Sequence, residues 1–464
     1  MVSSTANVCS RSPPERGAPA VRAAIVGTGA RAQMWAHELR QHGDLVALAD
    51  TNPARLAAFQ RLIAGNRSQP APAGEAVSGH AAPASWVIAQ SADVARMLAA
   101  ERADVLVVCS PDATHDEHIV AGLDAGAHVI TEKPMTTDAA KARRILDAQK
   151  RTAGLVTVAF NYRYHPVYAQ VKQVLPRIGE ISSVHFEWLL DVRHGADYFR
   201  RWHRDKAQSG GLLVHKATHH FDLINWWLGT TPEQVSAQGK LFFYGEAGRR
   251  HGYDRGYARA HGTAEAVGDP FALSLQDNPA MKALYLDAEE HDGYQRDLNV
   301  FAPGVSIEDD LAVLVRYASG ATMSYHLTAF SPWEGLRIAF NGSQGRLELD
   351  LTESDHVAPG VSGAVKGHSA ALHGAEAAAE QGGVSLRLRH FWQPPQDLPV
   401  ATYEKTGHGG ADSRMVAAIF SAASAPTATD GAWALLTGLA ANESMRTQRS
   451  VRASDLLDLT EWES

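Results

Sequence analysis

Cysteine is nearly absent, with two residues, Cys9 and Cys109, in a chain of 464. Cys9 lies among the first 20 residues and Cys109 closes an apolar run, so neither a disulfide framework nor a cysteine-built zinc site is available. No run of about 18 apolar residues occurs, which excludes an ordinary membrane-spanning helix. The opening MVSSTANVCSRSPPERGAPA lacks the apolar core of a signal peptide. Basic residues are nowhere concentrated, and 43 Lys+Arg against 51 Asp+Glu give a formal charge of −8. Nucleic acid is therefore a poor partner, because phosphate binding needs clustered cations. The expectation is a cytoplasmic protein with no membrane or nucleic-acid partner and a dispensable tail over residues 1–20.

What is present is ordinary globular material, 45% hydrophobic and 20% charged, and long enough for two domains. From Val21, short apolar runs alternate with helical stretches. VRAAIVG, LVALAD, SWVIA, DVLVVCS and HVITEKP read as strands. Between them, AQMWAHELRQHG reads as a helix closed by Gly43, and PARLAAFQRLIAG as one opened by Pro53. Further helices are expected over 92–101, HDEHIVAGLDAG and Thr137 to Thr152, with a long loop over 65–85. This alternation predicts an α/β N-terminal Rossmann domain, a doubly wound parallel sheet, over 21–155.

Beyond Leu155 the strands lengthen and are separated by turn dipeptides: EISSVHFEWLLDV, LAVLVRYASG, ATMSYHLTAF, LRIAFNGSQG and RLELDL. They predict an α+β domain over 156–464 built on a large, mostly antiparallel open sheet. Helices are expected over Pro166 to Leu175 and Leu213 to Leu228. Residues 244–303 have weak periodicity and read as an insertion, and the Ala/Gly-rich 359–383 as a surface loop.

IVGTGARA, between the first strand and first helix, supplies Gly27-x-Gly29-x-x-Ala32. A tight turn, a close backbone approach and small-residue packing are what a dinucleotide diphosphate on a helix N-terminus requires. Asp50 ends the second strand, where a carboxylate accepts from ribose hydroxyls and repels a 2′-phosphate. NAD is favoured over NADP.

SGGLLVHKATHHFDLINWWLG, Ser209 to Gly229, sets His215 and His219 four residues apart, on one face of the expected helix. That spacing suits a metal, proton transfer or a grip on substrate. Third metal ligands could come from His408, Asp412, Glu187 or Asp191. Nearby, DYFRRWHR adds Tyr198, Arg200, Arg201, Trp202, His203 and Arg204, and Trp188, Trp226, Trp227 and Trp333 add aromatic surface. Aromatic faces beside charged hydrogen-bonders suit a sugar, although Trp226 and Trp227 beside Leu228 read as core.

Four motifs in order carry a resemblance: VVCSPDATH, HVITEKPMTTDAAKA, VAFNYRYHP and SGGLLVHKATHHFDL. Together they resemble the Gfo/Idh/MocA oxidoreductases, from about Val21 to Leu351. The resemblance implies a Rossmann domain followed by a sheet domain through which copies associate, so a homo-oligomer is expected. It implies cofactor contacts from Gly27, Gly29, Ala30, Arg31, Asp50, Ser110, His115, Glu132 and Lys133. Lys133 would lie between nicotinamide and substrate, and His219 falls in the family's catalytic histidine position. Arg163, Tyr198, Trp202, His203 and Lys216 are the expected substrate contacts.

Two departures stand out. His215 replaces the family's usual aspartate, with Lys216 after it, and Asp112 replaces an asparagine. His219 is the expected base, Lys133 the stabiliser of a developing alkoxide, and His215 a further catalytic or substrate contact. A hydride-transfer site bearing a lysine needs no Lewis acid, so no metal is expected. The implied function is NAD-dependent oxidation of a secondary hydroxyl on a sugar, glycoside or cyclic polyol. The alternatives are an NAD-dependent glycosidase, which returns the hydride, and a non-catalytic dinucleotide sensor.

Overall fold

The computed structural model describes residues 21–65, 87–89, 93–357, 382–404, 409–421 and 424–462. The expected tail over 1–20, most of the two loops over 65–85 and 359–383, and His408 lie outside the described residues.

Six strands form the first sheet: β1 (Val21–Val26), β2 (Gly43–Ala49), β3 (Val87–Ala89), β4 (Val105–Val108), β5 (His128–Thr131) and β6 (Val156–Val158). All pair in parallel, in the order β3-β2-β1-β4-β5-β6. The crossing helices are α1 (Ala30–Leu39), α2 (Pro53–Gly65), α3 (Val94–Glu101), α4 (His115–Asp124) and α5 (Ala139–Arg151). Both faces of the sheet are covered, so β4 is buried along its whole length and its sequence is uniformly apolar. Gly43 does not close α1. It opens β2, in register with Val21, and the helix ends at Arg40. The parallel sheet also runs past residue 155, because β6 pairs with β5.

The second sheet has nine strands: β7 (Ile181–Asp191), β8 (Pro232–Lys240), β9 (Asp310–Tyr317), β10 (Thr322–Ser331), β11 (Glu334–Gly342), β12 (Gly345–Ser354), β13 (Val384–His390), β14 (Gln396–Leu398) and β15 (Val451–Arg452). Their order is β14-β13-β12-β11-β7-β10-β9-β8-β15, antiparallel except where β10 meets β7. One face is clad by helices, and strand residues alternate accordingly. Met323, Tyr325, Leu327 and Ala329 of β10 point inward while the residues between them are more exposed. Among the described residues no helix is long and apolar enough to cross a membrane.

The helices that carry the site are α6 (Pro166–Val174), α7 (Val192–Phe199), α8 (Lys206–Ser209), α9 (Leu212–His215) and α10 (Thr218–Leu228), and the long helix Ala428–Thr447 follows near the end of the domain. The expected single helix over 213–228 is two helices. Ala217 N bonds back to Leu212 O, five residues earlier, which widens the turn and ends α9. His215 and His219 therefore do not stand one turn apart on a common helix. The His215 ring faces His203, Tyr198 and Trp202, whereas the His219 ring faces Tyr162 and Phe160.

Between β8 and β9 the chain leaves the sheet and packs against the Rossmann domain. Leu273, Leu275, Met281 and Leu284 are buried with Ala30, Met34, Leu56 and Phe59 in one apolar cluster. At the other side of the cleft, α7 approaches β10 so closely that a Cβ on Gly195 would lie 1.7 Å from Ala329 O. Gly195→Ala should therefore cost about 1–3 kcal/mol as an overpacking substitution. Denaturant unfolding checks the loss.

Candidate active site

A cleft of about 490 Å³ opens at the C-terminal ends of the parallel strands, lined by both domains. Gly27, at φ +85°, makes the turn after β1, and a Cβ there would lie 2.5 Å from Ser110 N. The chain can then turn into α1, whose first turn has no acidic residue and no side-chain cap of its own. Such an end suits an anion. Its first amide, Ala30 N, donates to Tyr285 Oη at 2.9 Å.

Asp50 follows β2 and is buried. Its Oδ2 accepts from Thr28 N and Oγ1 at 2.7 and 2.8 Å, and its Oδ1 from Asn52 N at 2.8 Å. Arg55 lies 3.4 Å from Oδ1. Arg31 joins Glu132 at 2.6 Å and grips both oxygens of Asp412, while Glu132 also accepts from Trp35 Nε1 at 2.8 Å. His115 bridges the carbonyls of Ser110 and Pro134, each at 2.9 Å. It ties together the two loops that carry Asp112 and Lys133.

At the inner end, Lys133 Nζ donates to His215 O at 2.9 Å. Burial pushes its ammonium down to about 8, against the pull of Asp112. Asp112 Oδ2 lies 2.5 Å from His215 Nδ1. Burial drives the Asp112 carboxyl well up, against Lys133 and Arg201, and drives the His215 ring well down, with Lys133 and Arg201 adding to it. Both members are thus pushed towards neutrality. The His203 ring stands 4.1 Å from that of His215 and stacks on Trp202 at 3.5 Å.

Lys216 Nζ donates to Tyr162 Oη at 3.2 Å and sits 4.7 Å above the Trp188 ring. The His219 ring stacks on Tyr162 at 4.4 Å.

The cleft is lined by Gly27, Gly29, Ala30, Arg31, Asp50, Ser110, His115, Glu132 and Lys133, the expected cofactor contacts. Tyr198, Trp202, His203, His215, Lys216 and His219 line it as well. Arg163 does not. It is bound to Asp222 at 2.8 and 2.5 Å and to Asp430 at 3.0 Å, beneath the second domain's helices. Trp188, Trp226, Trp227 and Trp333 are also not lining residues, although Trp188 supports Lys216. Arg200 and Arg204 are spent on the insertion, donating to the carbonyls of Phe271, Ala302 and Pro303.

The suggested third metal ligands among the described residues lie elsewhere. Asp412 holds Arg31, Asp191 caps α7, and Glu187 faces Arg337. Among the described residues no three His, Cys, Asp or Glu side chains converge on one point. Sequence reasoning missed Asp112 as a partner of His215, and missed His194, Tyr285, Asp292, Tyr294 and Arg296 in the lining. Tyr285 meets Ala30 across 255 residues of chain, so no local pattern announces it.

Residues 21–160 match the family described as "Oxidoreductase family, NAD-binding Rossmann fold", and residues 172–372 match its "C-terminal alpha/beta domain". The chain belongs to the Gfo/Idh/MocA oxidoreductase family. Its first domain is that family's NAD-binding Rossmann domain. It is similar to "Putative oxidoreductase YteT" of Bacillus subtilis (strain 168), at 39% identity over 268 residues, 54% of this chain and 61% of the relative. It is also similar to inositol 2-dehydrogenase of Rhizobium meliloti (strain 1021), at 28% identity, covering 50% of this chain and 63% of the relative. The match thus spans about three-fifths of these relatives' length. Among solved structures, levoglucosan dehydrogenase in complex with NADH and levoglucosan superposes with a TM-score of 0.61 at 16% identity, over 93% of this chain and 99% of that one. An oxidoreductase domain protein from Kribbella flavida gives 0.61 at 18% identity, over 94% and 99%. At these identities the likeness is one of fold.

Because Arg163 is paired below the cleft, Arg163→Met should lower stability by about 3–5 kcal/mol, the cost of orphaning the buried Asp222 carboxylate. Denaturant unfolding measures this, and substrate KM should stay within about twofold.

Proposed function

We propose that the protein is an NAD-dependent oxidoreductase that removes hydride from a secondary hydroxyl of a sugar, glycoside or cyclic polyol. The observation that carries this reading is the contact between Asp112 and His215 beside Lys133. NAD, when bound, supplies the hydride acceptor. It would be held by the Gly27 turn, the start of α1 and Asp50, whose carboxylate disfavours a 2′-phosphate.

The hydroxyl proton needs a base. His219, the expected base, stacks flat on Tyr162. His215 has an acidic partner. In its base form the pair holds one proton, on Nδ1 between ring and carboxylate, which leaves Nε2 to accept another. Taking up the substrate's proton brings both members to neutral forms, the forms that burial favours. Desolvation therefore strengthens the base. The Lys133 ammonium stabilises the developing alkoxide, and Lys216 and His219 grip neighbouring hydroxyls. Trp202 and Tyr198 offer ring faces to the substrate's C–H surface.

A second reading, a redox-neutral glycosidase that returns the hydride to the sugar, is favoured by the insertion packed over the cofactor half of the cleft. The outward face of the nine-stranded sheet, with Leu314 exposed, supports association between copies.

A screen of sugars and aryl glycosides, reading NADH absorbance together with released phenol, separates the two readings. Net NADH supports the dehydrogenase, and phenol without NADH supports the glycosidase. Asp112→Asn should lower kcat about 100-fold, the size of a general-base effect, with NADH affinity unchanged. Lys133 is charged below its depressed value of about 8 and neutral above it. Accordingly kcat/KM for oxidation should fall about tenfold per pH unit above that point. A pH profile that keeps rising through that range in the unmodified protein and in Asp112→Asn alike would assign Lys133 the role of base instead.

A further inference from the structure

Residues 282–294 belong to the second domain in sequence, yet they lie along the Rossmann turn. Tyr285 Oη accepts from Ala30 N at 2.9 Å. Leu284 O accepts from Arg55 Nε at 3.1 Å, and Ala288 O from Asn52 Nδ2 at 2.9 Å. Asp292 Oδ2 pairs with Arg55 Nη2 at 2.7 Å. The contacts run from the start of α1 to the end of β2. In this fold that path joins a dinucleotide's diphosphate to its adenosine ribose. Tyr285, Asp292, Tyr294 and Arg296 line the same cleft as Gly27 and Asp50.

We propose that this segment is the outer wall of the NAD site, with the Tyr285 hydroxyl holding the diphosphate and Asp292, through Arg55, setting the ribose end against a 2′-phosphate. The proposal rests on NAD binding and holds for any substrate. Tyr285 occupies an acceptor position at an uncapped helix start, where an anion's oxygen would accept. Among the described residues its own proton has no acceptor, so the hydroxyl can pass the donor capacity of the amide it covers on to a phosphate oxygen.

Arg55 is the cation that would otherwise recruit a 2′-phosphate. Its Nη2 is taken by Asp292, its Nε by Leu284 O, and its Nη1 faces Asp50. The wall is anchored, since Leu284 is fully buried and Met281 nearly so among Rossmann side chains. A cofactor behind it leaves slowly.

NADH fluorescence on the full-length chain tests this, by titration and by stopped-flow displacement. Tyr285→Phe keeps the ring and removes only the hydroxyl. NADH should leave about tenfold faster, as expected for losing one hydrogen bond to a charged group. An unchanged rate, or tighter binding, would mean that the hydroxyl obstructs the site and would overturn the diphosphate half. Asp292→Asn, at a partly exposed position, leaves Arg55 with Asp50 as its remaining carboxylate neighbour. NADPH affinity should then rise about tenfold relative to NADH, and an unchanged ratio sinks the ribose half. If the unmodified chain fails to bind NADH, the cofactor assignment falls. If only the variants behave otherwise, the wall alone falls.

Discussion

His215 is fixed from two directions by a domain to which it does not belong. Its carbonyl accepts from Lys133 Nζ and its ring meets the Asp112 carboxyl, and both partners stand on Rossmann loops. Those loops are tied to each other by His115, which spans the Ser110 and Pro134 carbonyls beneath them. The candidate reacting centre is therefore a junction between domains. Its geometry is only as good as the rigidity of the contact between them.

That rigidity comes from apolar packing rather than from the hydrogen bonds. Insertion residues Leu273, Leu275, Met281 and Leu284 share one cluster with α1 and α2, joined by Met415, Val416 and Ile419 from near the chain's end. A cluster drawn from both domains resists the hinge motion that separate cores would allow. The polar contacts around Arg31, Glu132 and Asp412 then fix register across the seam, a role suited to directional but individually modest interactions.

The strands and helices of the Rossmann domain were legible because their signals are local. Uninterrupted apolar runs such as VLVV and a glycine turn read directly as buried strand and cofactor loop. The lining residues from Gly27 to Lys133 follow from position at the strand ends. What was not legible depends on contacts distant in sequence. Arg163 looks like a substrate contact until Asp222 and Asp430 close on it from 59 and 267 residues away. The break between α9 and α10 leaves an apolar pattern that still reads as one helix, because only the Ala217 to Leu212 hydrogen bond reveals it. The insertion has little periodicity and so gave no hint that Tyr285 reaches α1.

The two departures from the family pattern acquire a common explanation once their distance is known. With aspartate retained at position 215, Asp112 would bring two carboxylates into contact in a desolvated site, and one would have to stay protonated. With asparagine retained at 112, His215 would face a neutral amide in place of a carboxyl group. Changed together, they preserve one carboxylate and add an imidazole at 2.5 Å. The carboxylate has in effect crossed the domain boundary, from α9 to the loop after β4. The proton removal proposed for His215 uses a carboxyl partner beside the ring, and either domain could supply it. The contact depends on how the domains are docked, since the carboxyl group beside His215 sits on the opposite side of the seam. The shared apolar cluster fits that requirement, because a looser interface would separate Asp112 from His215 and leave each buried alone.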